Sequence, residues 1–117
     1  MFKTIWPSHK NQTAISQTNP ADLQAMLNAS EPLLILDVRS PQEYAHDGHI
    51  AGSRLLPLNT LNDRTHELSR DTPIVCVCRS GARSQVACET LARLGFTQVI
   101  NLRGGMMGWQ RAGFAAI

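Results

Sequence analysis

The sequence contains no hydrophobic run long enough to cross a membrane. Its wholly apolar stretches, such as residues 33–36, are far shorter than the roughly 20 residues that a membrane helix needs. Only 17% of the 117 residues are charged and 43% are hydrophobic, which also excludes a highly charged disordered chain. We therefore expect one compact domain over residues 13–117, preceded by an N-terminal arm over residues 1–12, with no membrane partner.

Cysteines are few and their spacing does not indicate a disulfide framework. The chain has three, an odd number without the regular spacing of a disulfide-rich protein, and no second ligand pair accompanies Cys76 and Cys78 to complete a zinc site. The N-terminus also lacks the continuous apolar segment of a secretory signal. These absences predict free thiols in the cytoplasm and no bound metal.

Basic residues are not concentrated in any segment. The formal net charge is only +2, and no arginine–lysine run or basic helix face is visible. Proteins that bind the phosphate backbone usually carry such a patch. Nucleic acid is therefore not an expected partner.

Short apolar runs alternate with segments of helical character along the chain. Continuous runs such as residues 33–37 are typical of strands covered on both faces, and alternation of strands with helices predicts an α/β fold with a mostly parallel sheet. The predicted strands are residues 13–16, 33–37, 54–56, 74–77 and 98–102. The predicted helices begin at Asn19, span 41 to about 47, lie within 60–68, follow the loop after residue 78, and span 106–112.

Helix boundaries carry recognisable capping signals. Asn19 followed by a proline is a typical helix start. Ser40 and Glu43 have the spacing of a capping box, in which each side chain binds the backbone N–H of the other residue. Gly95 followed by Phe96 predicts a left-handed cap at the end of the long helix.

Residues 74–84 combine a buried strand, a cysteine, a short loop and a helix start. Cys78 lies where loop N–H groups and the positive end of the helix dipole both favour negative charge, and Arg79 and Arg83 add to this bias. The thiol should therefore ionise more readily than a free cysteine. We predict that Cys78 is a nucleophile and that the following loop binds anions.

Other polar residues follow strands at the same predicted edge of the sheet, where ligands bind in open α/β folds. Asp37 and Arg39 are interpreted as a framework pair that holds neighbouring loops, although Arg39 has Glu43 as an alternative partner. Gly104 is interpreted as a position that needs an unusual backbone conformation. Trp109 is expected in the core.

Three segments resemble those of a known family. Residues 34–44 with 48–52 and Pro57, the loop 78–84, and residues 101–106 with Trp109 are similar, in this order, to the signatures of single-domain rhodaneses, which are sulfurtransferases. The resemblance covers roughly residues 13–114. It implies a three-layer α/β/α structure with a mostly parallel five-stranded sheet, and it implies that Cys78 carries sulfur.

The implied reaction moves a sulfane sulfur in two steps. A small anionic donor such as thiosulfate, or a persulfide, would load Cys78, and cyanide or a thiol, including a protein thiol, would accept the sulfur without any cofactor. A binding or sulfur-carrier module with little turnover of its own is the alternative. The expected substrate-binding residues are Arg79, Ser80, Gly81, Ala82, Arg83 and Ser84. Ser84 has a helix cap as its other interpretation.

The loop length separates sulfur transfer from phosphate chemistry. Arg83 follows Cys78 by five positions, one fewer than in the signature loop of cysteine phosphatases, where this chain has Ser84. Cys76 is expected to pack in the core. Cys88 has two readings, a core residue or a thiol that resolves the loop cysteine. His49 is expected to make a structural hydrogen bond rather than to act as a base.

Overall fold

The computed structural model describes residues 15–117, and within them a five-stranded sheet forms the centre of the molecule. Its order is β1-β5-β4-β2-β3, and every neighbouring pair is parallel. This confirms the predicted sheet. The strands are β1 (Ser16–Thr18), β2 (Leu34–Asp37), β3 (Arg54–Leu55), β4 (Ile74–Val77) and β5 (Val99–Leu102). The predicted arm, and the first two residues of the strand predicted over 13–16, lie outside the described residues.

Over the described range, residues 15–117, five α-helices accompany these strands. They are α1 (Pro20–Asn28), α2 (Pro41–His46), α3 (Leu61–Arg64), α4 (Ala82–Arg93) and α5 (Gly105–Arg111). The helix predicted within residues 60–68 is reduced to α3 between two 3₁₀ turns, because only Leu61 and Leu68 are buried there and such a sparse apolar stripe does not support a longer helix. Over residues 15–117, no helix has the length and apolar character that a bilayer crossing requires.

Apolar side chains cover both faces of the sheet. Leu36 and Cys76 point to one face, where they pack with Leu91 of α4. Ile35 points to the other face, where it packs with Trp109 of α5 and with α1. Alternate residues of one strand thus belong to two separate cores, as expected for a parallel sheet buried on both sides. The three-layer α/β/α arrangement is confirmed.

The predicted caps are present. Asn19 accepts a hydrogen bond from the N–H of Asp22, with 2.8 Å between Oδ1 and N. The Ser40 hydroxyl oxygen accepts from the N–H of Glu43 at 3.1 Å, and the Glu43 carboxylate accepts from the N–H of Ser40 at 3.0 Å. Gly95 has φ = +94° and ends the last turn of α4. These contacts join residues close in sequence, so local chemistry determines them.

The start of α5 lies against the loop that follows β4. The N–H of Met106 donates to the carbonyl of Cys78 at 2.8 Å, and the N–H of Met107 donates to the carbonyl of Arg79 at 3.0 Å. Gly105 makes this approach feasible: it has φ = +57°, and a Cβ there would lie 2.5 Å from the carbonyl oxygens of Cys78 and Arg79. A side chain would force the helix and the loop apart.

We expect Gly105→Ala to lower the free energy of unfolding by about 2–5 kcal/mol, because left-handed strain and a backbone clash act together. Urea denaturation of the variant and the wild type measures this difference. Gly113→Ala, at the other end of α5, is the matched control: Gly113 has φ = +87° but open space around it, so only the strain of about 1 kcal/mol applies. Equal losses in the two variants would contradict the close approach.

Candidate active site

Cys78 lies at the edge of the sheet where the carboxyl ends of the strands meet. It follows β4 directly, and the N–H of Val38, just beyond β2, donates to the carbonyl of Val77 at 2.9 Å. β5 ends beside it at Leu102, before Gly104 caps α5 with φ = +83°. The parallel strand order therefore gathers the three segments that the sequence analysis placed at one edge.

Hydrogen-bond donors surround the Cys78 sulfur. The N–H of Gly81 lies 3.0 Å from Sγ, and the Ser84 hydroxyl oxygen lies 3.3 Å from it. Burial of the thiol raises its pKa, but hydrogen bonds from the Ser84 hydroxyl and from the N–H groups of Ser84, Gly81 and Ser80 outweigh burial and lower the pKa. The site is thus built to stabilise a sulfur anion.

The backbone of the loop turns its N–H groups inward at Gly81. This residue has φ = +109°, the left-handed region, and precedes the first residue of α4. Ser84 is buried in the first turn rather than capping the helix, whereas Ser80 and Ala82 are exposed at the loop surface. The predicted loop residues therefore divide into an inner group that contacts the sulfur and an outer group open to solvent.

The two loop arginines have different surroundings. Arg83 forms a bidentate ion pair with Glu43 of α2, with 2.8 Å for both Nη1–Oε1 and Nη2–Oε2. Arg79 is exposed and lines a polar cleft of about 350 Å³ together with Asp47 and Gln110. Within residues 15–117, Arg79 takes part in no salt bridge. The sequence predicted that both arginines bind a donor anion, but in the structure Arg83 forms an ion pair with the carboxylate of Glu43.

Arg83 also borders a second cleft. This cleft has a volume of about 600 Å³, lies beyond the ends of β2 and β3, and has mainly apolar walls that include Val38, Pro57 and Leu58. Val38 and Leu58 belong to the same apolar cluster as Cys78. The loop therefore meets a polar cleft through Arg79 and an apolar cleft through Arg83.

Asp37 and Arg39 form a buried pair behind the loop. Arg39 Nε donates to Asp37 Oδ1 at 2.9 Å, its Nη2 donates to Oδ2 at 2.8 Å, and Nη2 also donates to the carbonyl of Gly48 at 2.8 Å. Both side chains are at most 2% exposed. Arg39 thus bonds Asp37, and Glu43, the alternative partner, bonds Arg83 instead. The pair joins the end of β2 to the loop after α2.

The remaining cysteines lie beneath the site. Cys76 and Cys88 are fully buried in the cluster that contains Cys78. A hydrogen bond with Cys88, together with burial, raises the pKa of the Cys76 thiol well above its ordinary range. All three cysteines are free thiols. Across the described part of the chain, no group of three or more His, Cys, Asp and Glu residues is arranged to hold a metal ion.

Residues outside the loop match their structural expectations. His49 Nδ1 lies 2.8 Å from the carbonyl of Tyr44, and the two rings stack with 3.6 Å between their centroids. Trp109 is 2% exposed and donates from Nε1 to the carbonyl of Ala115 at 2.9 Å. Trp109 thus packs on the face of the sheet opposite α4. His49 holds the loop after α2 against that helix.

Asn101 was not singled out by the sequence analysis. It is 5% exposed, and its carboxamide contacts the Ser84 hydroxyl, the Gly81 carbonyl and the side chains of Gln17 and Gln85. A signal was available, since Asn101 is the one polar residue of the otherwise apolar β5. A buried amide requires partners, and those partners lie on β1 and α4.

Comparison with known proteins identifies relatives along nearly the whole described chain. The model of the Rhodanese-like domain matches residues 19–112. A sulfurtransferase of Allochromatium vinosum is 36% identical over 103 residues, which cover 88% of this chain and 95% of that protein. The thiosulfate sulfurtransferase GlpE of Stutzerimonas stutzeri is 36% identical over 98 residues, which cover 84% and 87% of the two chains.

A solved structure shows the same arrangement of the chain. The rhodanese-related protein of Thermoplasma volcanium superposes with a TM-score of 0.78 at 33% sequence identity. The match covers 87% of this chain and 97% of that one. The similarity therefore includes both the fold and the sequence, and it extends through the loop that follows β4.

The ion pair between Glu43 and Arg83 makes stability depend on pH. The hydrogen bond from Arg83 lowers the pKa of Glu43 from its ordinary 4.5 to about 2. A folded-state pKa below the unfolded one stabilises the protein above about pH 5, and this contribution is lost as pH falls from 4.5 towards 2. We expect Glu43→Gln to lower the free energy of unfolding by about 1 kcal/mol at pH 7 and by progressively less at lower pH.

Urea denaturation of both proteins between pH 3 and pH 7 measures the difference. Glu31→Gln is the control, because Glu31 is an exposed carboxylate whose side chain has no hydrogen bond or salt bridge among residues 15–117. If the difference in the free energy of unfolding between the wild type and Glu43→Gln stayed constant down to pH 3, it would contradict the role of the ion pair.

Proposed function

Because the chain belongs to the rhodanese-like domain family, we propose that it is a sulfurtransferase that carries sulfane sulfur as a persulfide on Cys78. The donor is a small anion, thiosulfate or a persulfide, and the acceptor is cyanide or a thiol. The observation that carries this proposal is the Cys78 sulfur, held by the Gly81 N–H and the Ser84 hydroxyl in a setting that lowers its pKa.

The first step loads the cysteine. The Cys78 thiolate attacks the outer sulfur of thiosulfate, and a new S–S bond forms as the original S–S bond breaks. Sulfite leaves with the electron pair of the broken bond, and the outer sulfur of the new persulfide retains one negative charge. No other oxidant, reductant or cofactor enters this exchange, so the residues of the loop suffice for it.

The second step returns the cysteine to its thiolate. The acceptor, cyanide or a thiolate, attacks the outer sulfur, and the electron pair of the S–S bond returns to Cys78 Sγ. A thiol of low pKa leaves more readily than an ordinary thiol. The same hydrogen bonds that favour attack in the first step therefore favour departure in the second.

The loop arginines take different roles in this reaction. Arg79, which forms no salt bridge with any residue of 15–117, lines the polar cleft and attracts the anionic end of the donor. Arg83 holds the first turn of α4 against α2 through Glu43, which fixes the direction of the loop N–H groups. We assign substrate attraction to Arg79 and positioning of the loop to Arg83.

Incubation with thiosulfate should add the mass of one sulfur atom to the intact protein, and Cys78→Ala should gain none. Intact-mass spectrometry before and after treatment with cyanide measures both loading and release. Cys88→Ala is the control, since Cys88 lies in the core and should leave loading unchanged.

Two outcomes would count against the proposal. Absence of loading of the wild type from any sulfane donor would exclude the persulfide intermediate. Loading without repeated turnover, in the presence of cyanide or thiols, would favour a sulfur carrier over an enzyme.

Arg79→Ala should raise the KM for thiosulfate about tenfold, because a hydrogen bond to a charged group is lost, and should leave kcat nearly unchanged. The KM for a small organic persulfide, which lacks the sulfonate end of thiosulfate, should change much less in the same variant. Steady-state kinetics with both donors measures this.

Arg93→Ala is the matched control, because Arg93 carries the same charge in the last turn of α4, at the end away from the loop. An equal rise of KM in Arg79→Ala and Arg93→Ala would indicate a general effect of net charge and would contradict the role of Arg79.

A further inference from the structure

The Ser84 hydroxyl is buried between two groups that both accept hydrogen bonds. Its oxygen lies 3.3 Å from Cys78 Sγ and 2.5 Å from Asn101 Oδ1, and Ser84 is fully buried. A hydroxyl carries one hydrogen, so it can donate to only one of these acceptors at a time. The sulfur of the nucleophile and the amide of β5 therefore compete for a single proton.

The orientation of the Asn101 amide follows from its neighbours. Nδ2 lies 3.2 Å from the carbonyl oxygen of Gly81, which can only accept, so the amide nitrogen must face Gly81. Oδ1 then faces the Ser84 hydroxyl at an O–O distance of 2.5 Å, so the hydroxyl has Oδ1 within hydrogen-bond distance as an alternative acceptor to Sγ. While the hydroxyl bonds Asn101, it cannot donate to Cys78.

The charge on Sγ changes during the proposed reaction. The thiolate is a strong acceptor, whereas in the persulfide the charge lies on the outer sulfur and Sγ is only a weak acceptor. A hydroxyl with one fixed partner would be unsatisfied, or would oppose the charge, in one of the two states. With two alternative acceptors, the buried hydroxyl has a hydrogen-bond acceptor in both the thiolate and the persulfide state.

We propose that Asn101 is a positioning residue whose Oδ1 accepts the hydrogen bond of the Ser84 hydroxyl whenever Cys78 Sγ is uncharged. When Sγ is a thiolate, the hydroxyl donates to Sγ instead. The part of this inference that concerns the persulfide rests on the proposed function. The part that concerns the balance between thiol and thiolate does not. Asn101 is buried and acts on the sulfur through Ser84. The amide thereby sets the balance between the thiol, thiolate and persulfide forms of Cys78.

Asn101→Leu removes the competing acceptor at nearly the same volume and leaves the Ser84 hydroxyl free to donate to Sγ in every state. The pKa of Cys78 should fall by about half a unit to one unit. Asn101→Asp places a stronger, charged acceptor at the same position and should raise that pKa. The pH dependence of alkylation by iodoacetamide, followed at Cys78 by peptide mass spectrometry, measures both shifts.

A double-mutant cycle separates this role from a purely structural one. Ser84→Ala should raise the pKa of Cys78, and Asn101→Leu added to Ser84→Ala should produce a much smaller shift than in the wild type, because the hydroxyl is absent and only the bond to the Gly81 carbonyl is then lost. Gln17→Ala is the matched control, because Gln17 bonds the same amide on the side away from Ser84 and should leave the pKa unchanged. The other ionisable groups that interact with Cys78, Arg83 of α4 and Cys76 of β4, are unaltered in all these variants.

The inference is overturned if Asn101→Leu shifts the pKa of Cys78 equally with and without Ser84, or if Asn101→Leu and Asn101→Asp shift it in the same direction. Should Asn101→Leu fail to fold, Asn101→Asp is compared with and without Ser84: its charge raises the pKa of Cys78 by direct repulsion in both backgrounds, and a shift that is equal in the two would overturn the inference. Thermal unfolding of each variant identifies loss of folding.

A second measurement addresses the persulfide. At a fixed ratio of thiosulfate to sulfite, the equilibrium constant for loading should fall about three- to tenfold in Asn101→Leu, since the persulfide form loses the partner of its hydroxyl. Unchanged loading in this variant would overturn the persulfide half of the inference. Absence of loading in the wild type would reject the proposed function instead, and the alkylation experiment would still test the role of Asn101.

Discussion

The site depends on the direction in which the short loop after β4 presents its peptide groups. N–H groups of the loop can face the Cys78 sulfur only if the carbonyls across the same peptide bonds point away from it, and buried carbonyls need donors of their own. The first turn of α5 supplies them, through the N–H groups of Met106 and Met107, and Asn101 supplies one more at Gly81. An anion site on one side of the loop is thus matched by a row of satisfied carbonyls on the other.

This dependence explains why residues distant in sequence matter to one sulfur atom. Glu43 binds Arg83, which lies 40 positions further along the chain, and fixes the start of α4. Gly105 allows α5 to approach within backbone contact. Two arginines near the same cysteine consequently have different surroundings, since Arg83 is bound by a carboxylate and Arg79 is exposed to solvent.

Much of the fold could be predicted because its causes are local. The capping residues Asn19 and Ser40, the apolar runs of β2 and β4, and the glycine after α4 each act over a few residues. The family resemblance supplied the layer arrangement. The partner of Arg83 and the network of Asn101 could not be predicted, because these side chains meet only after the sheet has brought β5, α2 and α4 together. The broken helix over 58–67 also escaped prediction, since its hydrogen bonds depend on Pro57 and on packing beneath it.

The contrast between Cys76 and Cys78 has a consequence for stoichiometry. The two thiols are two residues apart and lie in one apolar cluster with Cys88, yet burial and Cys88 raise the pKa of one while loop donors lower that of the other. The Cys76 thiol therefore stays protonated beneath the loop and is a poor acceptor for a sulfur atom carried by Cys78. Under the proposed chemistry, loading and delivery alternate at one thiol, and each delivery must be completed before the next sulfur can be accepted.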